Sequence, residues 1–254
     1  MTADEVRPGH VIDLKKIRAL EGVEAQEDGG IRILPLTRIA DLASMESPAG
    51  GFGILREAAL SVGSAQIRNR ATIGGNICRA APSADMAAPL LVLNSRVKIM
   101  GIAGERWLPL AEFFLGPGRT ALQAGEILAE IHVPPPPTPG SGVYLKLGPR
   151  ESMDLATVGA AVFLSADSGG GVCRDARIAL ASVAPRPMRA GGAETHLKGQ
   201  PLSERLISEA ARKASEEMTP ISDVYGPDWY KREMAEVLVR RGILRAWKEI
   251  RGAS

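Results

Sequence analysis

The stretch Gln66–Asp85, QIRNRATIGGNICRAAPSAD, decides how the rest of the chain is read. Two adjacent glycines, Gly74 and Gly75, sit between a run of helical character and further small residues. Glycine has no Cβ and reaches positive φ without strain. Such a pair therefore predicts a backbone that comes close to a ligand, with consecutive N–H groups converging on an anion. Thr72 and Asn76 flank the pair with hydrogen-bonding side chains, and Asp85 offers a carboxylate to hydroxyls a short distance on. The plainer alternatives are a tight turn at Gly74-Gly75 and an N-cap role for Asp85 ahead of an apolar helix over 86–93. The spacing is not that of the dinucleotide-binding G-x-G-x-x-G turn after a strand.

Upstream of this stretch, apolar Ile54, Leu55, Ala58, Ala59 and Val62 recur at helical spacing and predict a helix that delivers the chain to Arg68. Before it lie a turn-rich break over 47–53 and a helix over 38–44 that Thr37 is placed to cap. Further back come a strand over 31–34, a turn at Gly29-Gly30, a helical turn over 15–20 and a short buried strand at His10–Leu14, HVIDL. Downstream, strands are expected over 96–100, 107–110 and 127–133. The Pro134–Pro137 run, extended by Pro139 and Gly140, then marks a spacer that cannot sit inside a sheet. Beyond it three strands over 143–147, 156–164 and 176–183 and two helices over 202–218 and 230–250 give an α+β pattern.

At 254 residues, with 45% hydrophobic and 24% charged residues, the chain can bury a sizeable core and invites more than one lobe. A net charge of +2 gives no electrostatic ground for a nucleic-acid partner, and no apolar run is long enough for a membrane span, so the expected compartment is the cytoplasm. Two distant cysteines, Cys78 and Cys173, support neither a disulfide framework nor a thiolate metal site, and Cys78 reads as a small buried filler. His10, His132 and His196 are scattered without metal-ligand spacing. No Ser-His-Asp or Cys-His arrangement and no carboxylate pair for acid–base work is indicated, so no catalytic side chain is assigned. Arg240, Arg241, Arg245 and Lys248 read as a solvated helix face or a docking surface.

The string QIRNRATIGGNICRAAPSAD resembles the second flavin loop of the molybdenum-hydroxylase FAD domain, the family of carbon monoxide dehydrogenase medium subunits and xanthine dehydrogenase flavin domains. The resemblance extends through GEILAEIHVP at Gly125–Pro134, YLKLGPRESMDLATVGAAV at Tyr144–Val162 and SDVYGPDWYKREMAEVLVRRGI at Ser222–Ile243, which covers nearly the whole chain. It implies a two-loop FAD-binding fold of the vanillyl-alcohol-oxidase type followed by an α+β C-terminal domain with an antiparallel sheet and helices. The corresponding division is 1–53, 54–138 and 139–254. RPGHVIDLKKI at Arg7–Ile17 is similar to the strand that follows the family's first flavin loop, so the expectation is that this loop is missing and the N-terminal lobe incomplete.

By the same resemblance Thr72, Ile73, Gly74, Gly75 and Asn76 line the FAD diphosphate, and Asp85 binds the ribityl or ribose side. Leu128 and Lys146 fall on FAD-touching positions, and Leu155 covers the isoalloxazine face. Read alone, Lys146 is equally a solvated strand lysine. The implied function is an electron-transfer subunit that passes electrons from the [2Fe–2S] clusters of a small subunit to NAD, a quinone or oxygen. A molybdopterin-binding large subunit would oxidise the substrate. A flavin-free structural subunit and a free-standing FAD oxidoreductase are the rival readings.

Overall fold

The computed structural model describes residues 9–46, 51–150 and 153–252. Residues 47–50 of the expected turn-rich break over 47–53, and the start 1–8, lie outside the described residues.

The first half builds an antiparallel sheet whose last strand in sequence is its middle strand in space. Its elements are β1 (Val23–Ala25), β2 (Ile31–Ile33), α1 (Ile39–Ser44), α2 (Gly53–Ser61), α3 (Ala65–Arg70), α4 (Ile73–Cys78), α5 (Ala87–Val92), β3 (Arg96–Gly101), β4 (Gly104–Pro109), α6 (Leu110–Phe113), a small hairpin of β5 (Phe114–Gly116) and β6 (Arg119–Thr120), and β7 (Ile127–Val133). The sheet order is β1-β2-β7-β3-β4. The expected apolar helix over 54–62 is α2, with Ile54, Leu55, Ala58 and Ala59 buried at helical spacing.

The second half contributes β8 (Gly140–Leu147), β9 (Val158–Ala166), β10 (Cys173–Ala181), β11 (Met188–Arg189), α7 (Gly191–Leu197), α8 (Glu204–Glu216) and α9 (Asp228–Gly252), with the antiparallel order β11-β10-β9-β8. Strand β9, VGAAVFLSA, is buried along its whole length because both sheet faces are covered. Ala161 and Phe163 face the core shared with the helices of the first half, whereas Ala160, Val162 and Leu164 face the core under α8 and α9. Each such valine, leucine or phenylalanine contributes about 1.5–3 kcal/mol by leaving water. Helix α9 approaches closely through Gly242, where a Cβ would stand 2.9 Å from the Val162 side chain. Glu57 on α2 ties the halves together, accepting the Tyr144 N–H at 2.9 Å and pairing with Arg245 on α9.

Several expectations change. His10–Leu14 is not a strand: no described residue pairs with it, Val11 and Ile12 are 85% and 81% exposed, and the Asp13 carboxylate caps a 3-10 turn at Leu14–Lys16. Thr37 does not cap α1, because its hydroxyl both accepts from Gly22 N–H and donates to Gly22 C=O. Arg38 is the N-cap residue instead, its own N–H donating to Asp41. Leu110 starts α6 and does not end β4, and Asp85 does not cap α5, which Met86 precedes. The short elements β1, β11 and α7 had no sequence signal strong enough to predict them.

Candidate functional site

Gly74-Gly75 is not an open loop but the first turn of α4, and neither glycine has positive φ. Thr72 is the N-cap, its hydroxyl accepting from Gly75 N–H at 3.1 Å. Ile73 N–H donates to Thr37 C=O at 2.9 Å, Gly74 N–H to Pro35 C=O at 2.8 Å and Asn76 N–H to Thr72 C=O at 3.0 Å. The expected anion nest is therefore closed, since each of its N–H groups already has a protein acceptor. The two glycines differ in duty. At Gly74 a Cβ would lie 2.6 Å from Pro35 C=O, so glycine is needed to seat the helix. At Gly75 it would meet only Thr72 Oγ1, at 3.2 Å, on the exposed side.

That side faces a cleft of about 590 Å³, within the range of cofactor and ligand pockets. Thr72, Gly75 and Asn76 form one wall, Asp85 lies at the base, and Met153 and Leu155 stand at an apolar rim with Tyr225. Ile73 and Gly74 are buried behind the wall. Leu128 is elsewhere: it lies in β7 opposite Ile99, packed in the first core, and does not line the cleft. Asn76 Oδ1 is buried and, among the described residues, has no hydrogen-bond partner, which marks an acceptor suited to a ligand's donor.

The base of the cleft is fixed from the second half. Tyr144 and Lys146, two apart on β8, point to the same side of the strand. The Tyr144 hydroxyl donates to Asp85 Oδ1 at 2.8 Å, and Lys146 Nζ donates to Asp85 Oδ2 at 2.9 Å and to Ser61 C=O at 3.0 Å. Burial pushes the Asp85 carboxyl above the usual carboxylate value, and the Lys146 charge and the two hydrogen bonds only partly offset this. Burial, reinforced by the Asp85 charge, holds the Tyr144 hydroxyl well above the ordinary phenol value. Cys78 is mostly buried, and its thiol, pushed up to about 11 by burial, stays protonated at neutral pH.

Two features escaped the sequence reading. Arg79, Arg150 and Tyr225 line the cleft from three separate segments. A second cleft of about 290 Å³ shares Ser83 and Tyr225 with the first and has the buried Lys231 paired with the more exposed Asp223, 2.7 Å apart, on its wall. Tyr144 was detectable, as the strand residue two before Lys146, but Tyr225 carried no signal. Among the described residues no group of three or more His, Cys, Asp or Glu is placed to hold a metal ion, and no helix is long and apolar enough to cross a membrane.

Comparison with known proteins gives the family. Residues 1–136 match the family model of the FAD binding domain in molybdopterin dehydrogenase, and residues 143–246 match that of the CO dehydrogenase flavoprotein C-terminal domain. The chain belongs to the FAD-binding subunits of the molybdenum hydroxylases. Among members of this family it is 35% identical over 239 residues to the carbon monoxide dehydrogenase medium chain of Afipia carboxidovorans, covering 94% of this chain and 82% of that one. It is 31% identical over 238 residues to the putative xanthine dehydrogenase FAD-binding subunit of Escherichia coli, covering 93% and 81%. The fold superimposes on a chain of the cyanide-inactivated Cu,Mo-CO dehydrogenase crystal structure with a TM-score of 0.90 at 34% identity, covering 96% of this chain and 84% of that one. Against quinoline 2-oxidoreductase from Pseudomonas putida 86 the TM-score is 0.89 at 29% identity, covering 97% and 84%. As in that family, the cofactor is FAD, and the cleft fits it: its size and apolar rim suit a bulky ring, and the unpartnered acceptor Asn76 Oδ1 suits a donor such as a sugar hydroxyl of the nucleotide.

Proposed function

We propose that this subunit relays electrons through FAD held in the Thr72–Leu155 cleft, between the [2Fe–2S] clusters of a small partner subunit and an external acceptor, in a complex whose large subunit binds molybdopterin. Bound FAD supplies the redox chemistry, and the protein supplies position and access. Thr72, Gly75 and Asn76 shape the wall along the diphosphate, with Ile73 and Gly74 holding that wall in place. Asp85, kept still by Tyr144 and Lys146, meets hydroxyls of the ribityl or ribose side. Leu155, 49% exposed at the rim, covers one face of the ring and excludes water from it. NAD, a quinone and oxygen are the candidate acceptors, and the adjoining second cleft gives one of them a place beside the first. This reading includes the cytoplasm as the compartment, and the divisions 1–53, 54–138 and 139–254.

The observation that carries the reading is the buried, unpartnered Asn76 Oδ1 beside an outward-facing Gly75 in a cofactor-sized cleft. Its test is the Gly75→Asp variant, which puts a carboxylate against the diphosphate while leaving the inner Gly74 packing intact. The flavin absorbance of the purified complex should vanish with partner subunits retained; unchanged flavin content overturns the assignment of this wall. One observation favours a second reading, a flavin-free structural subunit: the N–H groups of Ile73, Gly74, Gly75 and Asn76 already donate within the chain. A wild-type complex that purifies whole but releases no flavin on denaturation would decide for that reading. Purification without partners would instead indicate a free-standing FAD oxidoreductase.

A further inference from the structure

With the wall's N–H groups occupied, the negative charge of a flavin nucleotide must be met by a side chain, and the charged residues of the cleft leave one available. Asp85 is engaged by Tyr144 and Lys146, and Arg150 pairs with Asp154 at 3.1 Å. Arg79 lines the same cleft, and among the described residues its guanidinium makes no hydrogen bond or ion pair. We propose that Arg79 is the residue through which the cleft recognises the anionic diphosphate of its flavin nucleotide, an assignment that rests on the flavin-binding reading above.

The placement follows from α4. Arg79 closes the helix, its N–H donating to Gly75 C=O at 3.1 Å, so it stands one turn beyond Gly75 on the same face. Gly75 projects no side chain into the space between them, so a group lying along the Gly75 wall is within the reach of an arginine. The turn between β5 and β6 brackets Arg79 from the side: Gly118 N–H donates to Ala80 C=O at 3.0 Å, and a Cβ on Gly118 would stand 3.6 Å from an Arg79 terminal nitrogen. A guanidinium is permanently charged and carries five N–H donors in a planar fork that matches phosphate oxygens. It therefore replaces the donors that the closed turn withholds. The rest of the wall offers no second available cation: Asn76 Oδ1 and Asp85 are acceptors, and Thr72 and the Asn76 amide nitrogen add only neutral donors.

The test is titration of the full chain, freed of bound flavin, with FAD and with neutral riboflavin, in the wild type, Arg79→Gln and Arg79→Lys. Arg79→Gln should weaken FAD binding by roughly ten-fold or more, as expected for a lost charge-assisted hydrogen bond. Arg79→Lys should recover part of the loss, riboflavin should bind all three proteins alike, and raising the salt should narrow the gap between wild type and Arg79→Gln. FAD affinity unchanged in Arg79→Gln overturns the proposal and leaves the flavin reading standing. So does an equal loss for FAD and riboflavin without rescue by lysine, which would mark a packing role. A wild-type chain that binds neither ligand overturns both.

Discussion

The molecule holds two aspartate–lysine pairs near Tyr225, each with a buried partner, and they are built in opposite senses. In Asp85–Lys146 the acid is the deeper partner, its side chain 8% exposed against 14% for the lysine. In Asp223–Lys231 the base is the deeper one, 2% exposed against 32% for the acid. The carboxyls respond accordingly. Burial raises Asp85 above its ordinary value. At Asp223 burial also acts upward, but the hydrogen bond from Lys231 and the N–H groups of Tyr225 and Gly226 outweigh it, and the carboxyl is lowered. Similar ion pairs at 2.9 and 2.7 Å thus respond oppositely to pH, and which partner is buried decides the sign.

The largest break in this symmetry is expected from removing the exposed acid that compensates the buried base. Asp223→Ala leaves the Lys231 ammonium, among the described residues, with the Ile221 carbonyl alone, which it contacts at 3.0 Å. Stranding a buried charge costs about 3–5 kcal/mol, and the lower end applies because water reaches the Asp223 side. A fall in melting temperature of roughly 6–12 °C follows for a chain of this size. Adding Lys231→Met should restore most of the loss. If the double variant is no more stable than Asp223→Ala, the charge is not the cause.

Tyr144→Phe comes next, because it takes one donor from Asp85 and leaves Lys146 in place. A buried acceptor stripped of one partner costs about 1–3 kcal/mol. The measurable signature is a further rise of the Asp85 carboxyl, visible by NMR titration of its side-chain carbon. An unmoved titration would show that the 2.8 Å contact contributes nothing to the carboxylate.

These pairs also show how far the sequence could be read. Asp85 stands out in the loop itself and Lys146 through motif resemblance, yet nothing in a separation of 61 positions says that they bind each other. Lys231 and Asp223 gave no signal, because one is on α9 and the other on the loop before it, outside the i, i+4 geometry of helix pairs. The long strands β7, β8, β9 and β10 were legible from apolar runs bounded by turn residues, whereas β1 and β11, at three and two residues, exist only because neighbours pair with them. At Gly74-Gly75 the glycines suggested a loop, and the contrary signal was Thr72, a good N-cap residue three positions before Gly75. The HVIDL run had the right residues for a strand, but among the described residues no edge receives it.

The opposite carboxyl shifts predict opposite slopes of stability against pH. A raised acid favours the folded state when protonated, so the Asp85 contribution is present below its ordinary value of 3.8 and is lost as pH rises through its raised folded value. A lowered acid does the reverse, so the Asp223 contribution is present above 3.8 and is lost as pH falls through its lowered folded value. Melting temperature measured from pH 3 to pH 7 should therefore fall less steeply toward acid in Asp223→Asn than in the wild type. Asp85→Asn should lose the opposing slope above pH 3.8. Parallel curves for the two variants would show that the depth of the acid does not set the sign.

The smallest expected effect is on salt dependence. The Debye length shrinks from about 10 Å at 0.1 M ionic strength to about 3 Å at 1 M, so screening reaches a contact pair only where ions can approach it. At Asp223 one face of the carboxylate is open to solvent, whereas Asp85 is closed over by Tyr144 and Lys146. A double-mutant cycle on Asp223–Lys231 should lose a few tenths of a kcal/mol of coupling between 0.1 and 1 M salt, the scale of exposed ion pairs. The same cycle on Asp85–Lys146 should not move beyond experimental error. Equal salt sensitivity in the two cycles would mean that ions reach the base of the flavin cleft as freely as its surface. The raised Asp85 carboxyl could not then be explained by burial.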